Sequence, residues 1–218
     1  MGVAQVRSPI VDWVRVTSRA ELSRAGLPGG RPVLVLVGGA AGMDRAELEA
    51  LELVLRGLVA LLDERGAVVV DGGTDIGVMR AIGRARAAEG GRFPLIGVAA
   101  EVAVGGAFEP NHTHQLLVPG DTWGDEVPWI ADVADVVAGP QPSLTLLVNG
   151  GEITFEDAEH SLDHNRPLVV LRGSGRTADA IARSADERST AIATSPLTTV
   201  LGPDELRPHF ERMLTPSP

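Results

Sequence analysis

The chain has 218 residues, of which 44% are hydrophobic but only 3% aromatic, with no tyrosine and no cysteine. That length suits one sizeable α/β domain with a Val, Leu, Ile and Ala core, and the absence of cysteine excludes disulfides and thiolate metal sites. A formal charge of −10 argues against a general nucleic-acid binder, which needs a basic face to displace counterions.

A small phosphorylated ligand remains compatible with this charge, because a helix N-terminus and one arginine can hold a phosphate locally. No basic, apolar N-terminal stretch resembles a signal peptide, and no apolar run nears the ~18 residues of a membrane span. The expectation is a cytoplasmic protein with no membrane span, of the acidic kind common in high-GC bacteria.

The chain begins with an expected strand over 11–16 and a short helix over 18–25, closed by Leu27-Pro28-Gly29-Gly30. The organising stretch follows: VLVLVGGAAGMD, residues 33–44. Five apolar residues without polar alternation suit a strand buried on both faces, as in a parallel sheet. The glycine-rich turn then leads into a helix opened by a capping box, Asp44-x-x-Glu47. Leu48, Leu51, Leu55, Leu58 and Leu62 recur at helical spacing and Gly66 ends the run.

The plan repeats at Val68-Val69-Val70-Asp71-Gly72-Gly73-Thr74, with a helix expected over 75–89. Gly77 and Gly83 inside it each cost roughly 1 kcal/mol against alanine. Such a cost fits a close backbone approach to a ligand or strand, or tight helix–sheet packing. A strand over 94–98 precedes an irregular segment, 99–126, and a connection that long is more often functional than idle. It holds Asn111-His112-Thr113-His114, a short apolar run at 115–118, and Trp123-Gly124-Asp125-Glu126.

A helix over 126–137 tolerates Pro128 in its first turn. Next come a strand over 144–148, the turn Asn149-Gly150-Gly151, and a helix capped by Thr154-x-x-Asp157 with Phe155, Ala158 and Leu162 inward. A strand over 167–171 leads through Gly173-Ser174-Gly175-Arg176 to a helix ending near 186. An apolar stretch at 197–201 and a helix over 204–214 finish the chain. This alternation predicts a Rossmann-like three-layer sandwich with a mainly parallel sheet of about 6–8 strands and helices on both faces. The expected organisation is one domain over 1–218, with its core at 32–182 and additions at 1–31 and 183–218.

Ligands of such sheets bind beyond the strand carboxyl ends, where strand order reverses, and the glycine turns fall at such ends. Gly38, Gly39 and Gly42 do not form a strict G-x-G-x-x-G, and no Walker lysine follows. A plain strand–helix turn explains them as well as a phosphate site does. Asp71 could accept from a ribose hydroxyl or be a solvated loop aspartate. Glu152 and Glu156 flank Thr154, where one could act as general acid or base, although capping and solvation account for both.

His112 and His114 sit at i, i+2 near Asp121 and Asp125, but without a third evident ligand no metal site is assigned. Trp123 is a candidate to stack on a purine, whereas Trp129 reads as core. Gly173-Ser174-Gly175-Arg176 is the sharpest anion cradle, with small residues exposing N–H groups and Arg176 adding a fixed charge. Arg176 as an ordinary surface residue remains the competing reading.

Taken together, VLVGGAAGM, VVDGGTDIGVM, IGV, EPNHTH, TWGDE, NGGEI and LRGSGRTAD resemble the SLOG superfamily. The branch is the prokaryotic relatives of the N-terminal (LSDAT) domain of TRPM channels, over roughly 32–182. The resemblance implies a domain that senses or processes nucleotide-derived ligands, ADP-ribose-like or NAD-like, or a nucleoside monophosphate. The contacts it implies are Gly38, Gly39, Gly42, Gly72, Gly73, Thr74, Gly150, Gly151, Gly173, Ser174, Gly175 and Arg176, and the expected ligand-binding set adds Met43, Asp71, His112, His114, Trp123, Asn149, Glu152 and Thr154.

The enzymatic cousins, LOG-type phosphoribohydrolases, carry P-G-G-x-G-T-x-x-E. Here proline is replaced by Asn149, the third glycine by Ile153 and the closing glutamate by Asp157, and their arginine-lysine helix motif has no counterpart. The favoured expectation is therefore a ligand-binding sensor domain. The alternatives are an N-glycosidic nucleotide hydrolase using Glu152, Glu156 or Asp157, and an interaction protein, possible as a homo-oligomer, with a vestigial pocket.

Overall fold

A computed structural model describes residues 13–102 and 108–216. Among them eight strands form one sheet: β1 (Trp13–Arg15), β2 (Val33–Gly38), β3 (Val68–Asp71), β4 (Leu95–Ala100), β5 (His114–Val118), β6 (Ser143–Val148), β7 (Leu168–Leu171) and β8 (Thr198–Leu201). Their order is β1-β5-β4-β3-β2-β6-β7-β8, and every pair between neighbouring strands is parallel. The chain builds outward from β2 through β3, β4 and β5, then returns to the other side of β2 with β6. Strand order therefore reverses between β2 and β6.

The helices are α1 (Arg19–Leu22), α2 (Arg45–Glu64), α3 (Gly77–Ala88), α4 (Val127–Ala138), α5 (Glu152–Asp163), α6 (Arg176–Ala182), α7 (Glu187–Ala193) and α8 (Pro203–Met213). The VLVLV run serves both layers at once. Leu34 and Leu36 join the core shared with α2, α3 and α8, while Val33, Val35 and Val37 join the core shared with α1, α4, α5, α6 and α7. That is the three-layer architecture read from the sequence. No helix among the described residues is long and apolar enough to cross a membrane.

Local signals set several boundaries. Asp44 caps α2 with the reciprocal Glu47 contact in place, and Leu51, Leu55, Leu58 and Leu62 are buried along its inner face. Elsewhere the boundaries differ from the sequence reading. The run at 115–118, expected inside an irregular segment, is part of β5, held between β4 and β1. A strand flanked on both sides needs only a short apolar stretch, so its neighbours decide its conformation. Residues 103–107 of that segment, and 11–12 of the expected first strand, lie outside the described residues.

The helix after β7 stops at Ala182, and α7 is a separate element capped by Asp186, whose side chain accepts from Ser189 N. At the C-terminus, α8 places Leu206, Phe210 and Leu214 in the α2/α3 core.

The buried face of α2 makes a direct test. Leu55→Ala, at a fully buried position, is expected to lower unfolding free energy by about 2–5 kcal/mol in urea titrations. Leu53→Ala, at a residue 66% exposed, should change it by no more than about 0.5 kcal/mol.

Candidate ligand-binding site at the strand-order reversal

The site begins where β2 and β6 run side by side. At Gly38 (φ 150°) a Cβ would lie 1.9 Å from the Val148 carbonyl oxygen, and Gly39 N donates to that oxygen at 3.1 Å. The start of α3 comes equally close from the other side. Gly77 has φ 54°, and a Cβ there would stand 1.9 Å from Gly39 O. The α3 glycine thus marks backbone meeting backbone. Gly83 has a different reason: its missing side chain makes room for the Glu109 carboxyl group, which a Cβ would meet at 2.1 Å.

The β6 turn is sewn to the β7 turn by Asn149, a buried residue at φ 55°. Its side-chain amide donates to Ser174 O at 2.7 Å, its backbone N donates to Ser174 Oγ at 2.8 Å, and its Oδ1 accepts from Gly150 N at 2.7 Å. Gly151 N donates to Thr154 Oγ1, Gly173 N to Asp179 Oδ1 and Gly73 N to Asp71 Oδ1. Those four amides are thus engaged by side-chain oxygens of the turns or of the elements that adjoin them. Arg176 leaves the β7 turn and crosses to the β2 turn, where Nη1 donates to Ala41 O at 2.8 Å, beside Gly42 and Gly151.

A cavity of about 460 Å³ opens between these turns. Of the residues expected from the sequence, Gly38, Gly39, Gly72, Thr74, Trp123, Gly151, Glu152, Thr154, Asp157 and Arg176 line it. Ile76, Met79, Val127, Ile130 and Ile153 make its apolar wall, and Glu126 adds a carboxyl group. None of the six was among the expected site residues, although Ile76, Met79, Glu126 and Ile153 stand in the motifs that carry the resemblance. Glu126 stands at the N-cap of α4, where an acidic residue looks like ordinary helix capping, so only its place in space sets it apart.

Contrary to the sequence expectation, Thr154 does not cap the helix from outside. The helix starts at Glu152, so Thr154 lies in its first turn and accepts from Gly151 N. Asp157 is thereby carried to the cavity. Burial, then Glu126 and Glu156, push the Asp157 carboxyl up to about 8. Burial also raises Glu126, against hydrogen bonds that include Gly124 N. Glu152 lines the cavity but is ion-paired with Arg188, and Glu156 is exposed.

Other expected residues lie elsewhere. Met43, Gly173 and Ser174 line a smaller cavity of about 180 Å³ beside α2 and Pro203. A Cβ on Gly175 would meet the Asn149 side chain at 2.8 Å. His114 opens β5, its Nδ1 against the Thr113 hydroxyl, and burial lowers its pKa.

Asp71 and His112 are sealed in the protein. His112 Nε2 meets Asp71 Oδ1 at 2.8 Å and Nδ1 meets Glu109 Oε2 at 2.9 Å, with all three residues no more than 3% exposed. Burial alone would lower His112, but Asp71 and Glu109 outweigh it and push it up to about 9. Glu109 N also donates to Gly73 O. This buried group fastens the turn whose Gly72 and Thr74 line the cavity. Among the described residues no cluster of three or more His, Cys, Asp or Glu is arranged to hold a metal ion.

With this geometry in place, the family described as "SLOG in TRPM, prokaryote" matches residues 31–209, extending beyond 182, where the sequence resemblance ended. The chain is 25% identical over 227 residues to mouse (Mus musculus) transient receptor potential cation channel subfamily M member 2, and 26% identical to its Rattus norvegicus counterpart. Each match covers 83% of this chain but 15% of the channel, so the chain spans about 15% of the length of these relatives.

Among solved structures, the molybdenum cofactor carrier protein of Chlamydomonas reinhardtii aligns with a TM-score of 0.62 at 16% identity, covering 84% of this chain and 98% of that one. A structural-genomics target solved by X-ray methods aligns at 0.58 and 18% identity, covering 83% and 99%. At these identities the likeness is one of fold.

Two titrations should be visible in the stability of the protein. His112 is raised from 6.5 to about 9, so its contribution is complete below about pH 6.5 and is lost as pH rises through 9. Asp157 is raised from 3.8 to about 8, so its ionisation increasingly destabilises the fold over that interval. Thermal melts should fall from pH 6 to about pH 9, and Asp157→Asn should be the more stable protein at the alkaline end. His112→Leu should cost about 3–5 kcal/mol at neutral pH, the range for breaking a buried ion pair.

Proposed function

Since the chain belongs to the prokaryotic SLOG family found in TRPM channels, we propose that it binds a nucleotide-derived ligand, ADP-ribose-like or NAD-like, in the cavity at the strand-order reversal. One observation carries this reading. The β2, β3 and β6 turns and the Arg176 side chain, distant in sequence, line a single cavity at the carboxyl ends of the strands. Open parallel sheets bind ligands at that position.

The phosphate belongs at Arg176, whose guanidinium keeps donors beyond the one given to Ala41 O. The apolar wall of Ile76, Met79, Ile130 and Ile153 suits a base or sugar face. With the Gly73, Gly150, Gly151 and Gly173 amides already used in the turns, the phosphate grip rests chiefly on the Arg176 side chain.

A second reading is N-glycosidic hydrolysis of a nucleotide, favoured by Asp157 and Glu126 sharing the cavity with raised proton affinities. A carboxyl group still protonated near neutral pH has the character of a general acid. Asp157 occupies the place of the closing glutamate in the LOG-type motif.

Calorimetry against ADP-ribose, NAD and AMP tests the binding reading, and silence from the whole panel counts against it. Arg176→Ala should weaken the affinity for any phosphorylated ligand by about 1.5–3 kcal/mol. Chromatography of the same mixtures separates the two readings. Free base that disappears with Asp157→Asn makes the protein a hydrolase, and intact nucleotide beside measurable affinity makes it a binding domain.

A further inference from the structure

The cavity is lined by charges of both signs. Arg176 lines it with a guanidinium that donates to the Ala41 carbonyl. Glu126, leading into α4, and Asp157, on α5, line it as well. Among the described residues no ion pair joins a cation to either carboxyl group, and Glu126 accepts from the Gly124 amide. Arg188, the arginine at the start of α7, is committed to Glu152 and Glu159. Trp123 lines the same cavity at the start of the segment that ends in Glu126, and it is 53% exposed.

Two acidic groups without a paired cation share the cavity with a half-exposed tryptophan, and a cation brought among them would favour their ionised forms. Carboxylates stabilise a cation in a partly desolvated site more strongly than in water, and the negative face of tryptophan adds a cation–π term. A neutral ring would leave the carboxyl pair either unmatched or protonated. A permanently charged ring can match it without a proton change on the ligand.

Resting on the ligand-binding reading above, we propose that the ligand carries a permanently cationic aromatic ring, an N-ribosylated pyridinium or a ring-methylated base, against Trp123, Glu126 and Asp157, with its phosphate at Arg176. Glu126 and Asp157 then set specificity for ring charge, and Arg176 sets the requirement for an anion.

Matched ligands that differ in ring charge test this. Calorimetry at neutral pH compares oxidised with reduced nicotinamide mononucleotide, and 7-methylguanosine monophosphate with guanosine monophosphate. The charged member of at least one pair should bind about tenfold tighter, in keeping with a cation–π contact and carboxylate attraction in a partly buried site. The pair that shows it identifies the ring. Glu126→Gln should reduce the preference, and Glu126→Gln with Asp157→Asn should remove it.

Equal affinity for charged and neutral rings, with Arg176→Ala still weakening both, overturns the proposal and leaves the phosphate pocket standing. A preference that survives the double substitution also overturns it. No binding by any of the four ligands takes down both the proposal and the reading beneath it.

Discussion

The contact on which this molecule depends is the parallel pairing of β2 with β6, pressed at its end to the point where Gly38 leaves no room for a Cβ beside the Val148 carbonyl. These strands are neighbours in the sheet but far apart in the chain, and their connections depart to opposite faces. After β2 the chain runs to α2, and after β6 to α5, which pack in different cores. A crevice must open between connections that diverge. The cavity is thus a consequence of strand order, and the side chains at its rim give it chemistry.

Rigidity around that crevice comes from hydrogen bonds spent inside the turns. Asn149 accepts a left-handed backbone so that its side chain can tie the β6 turn to Ser174, a conformation asparagine tolerates better than most residues. Gly150, Gly151, Gly173 and Gly73 give their amides to neighbouring oxygens. Turns held this way give the crevice a frame that is ordered beforehand. With those amides engaged, Arg176, Glu126 and Asp157 are among the charged side chains left lining the crevice.

The Asp71–His112–Glu109 group acts beneath this frame. Two carboxylates and an imidazolium out of water carry a large desolvation penalty, and their mutual attraction and hydrogen bonds must offset it. In return, the β3 turn is joined to the segment before β5 through charge-assisted contacts. Asp71 therefore supports the cavity wall from below, a role its position at the end of a hydrophobic strand did not reveal.

Amino-acid order alone determined what depends on near neighbours. The Val and Leu alternation of β2 required helices on both faces, the Asp44/Glu47 box fixed the start of α2, and the leucine spacing chose its buried side. These follow from the periodicities of strand and helix, which a short window contains. Tertiary structure decided the rest: that 115–118 is a strand, that α5 begins before Thr154, that Glu126 meets Asp157 in one cavity, and that His112 bridges two buried acids. Each depends on groups brought together across the sheet, and the pairing of strands remote in sequence leaves no mark in the residues on either side.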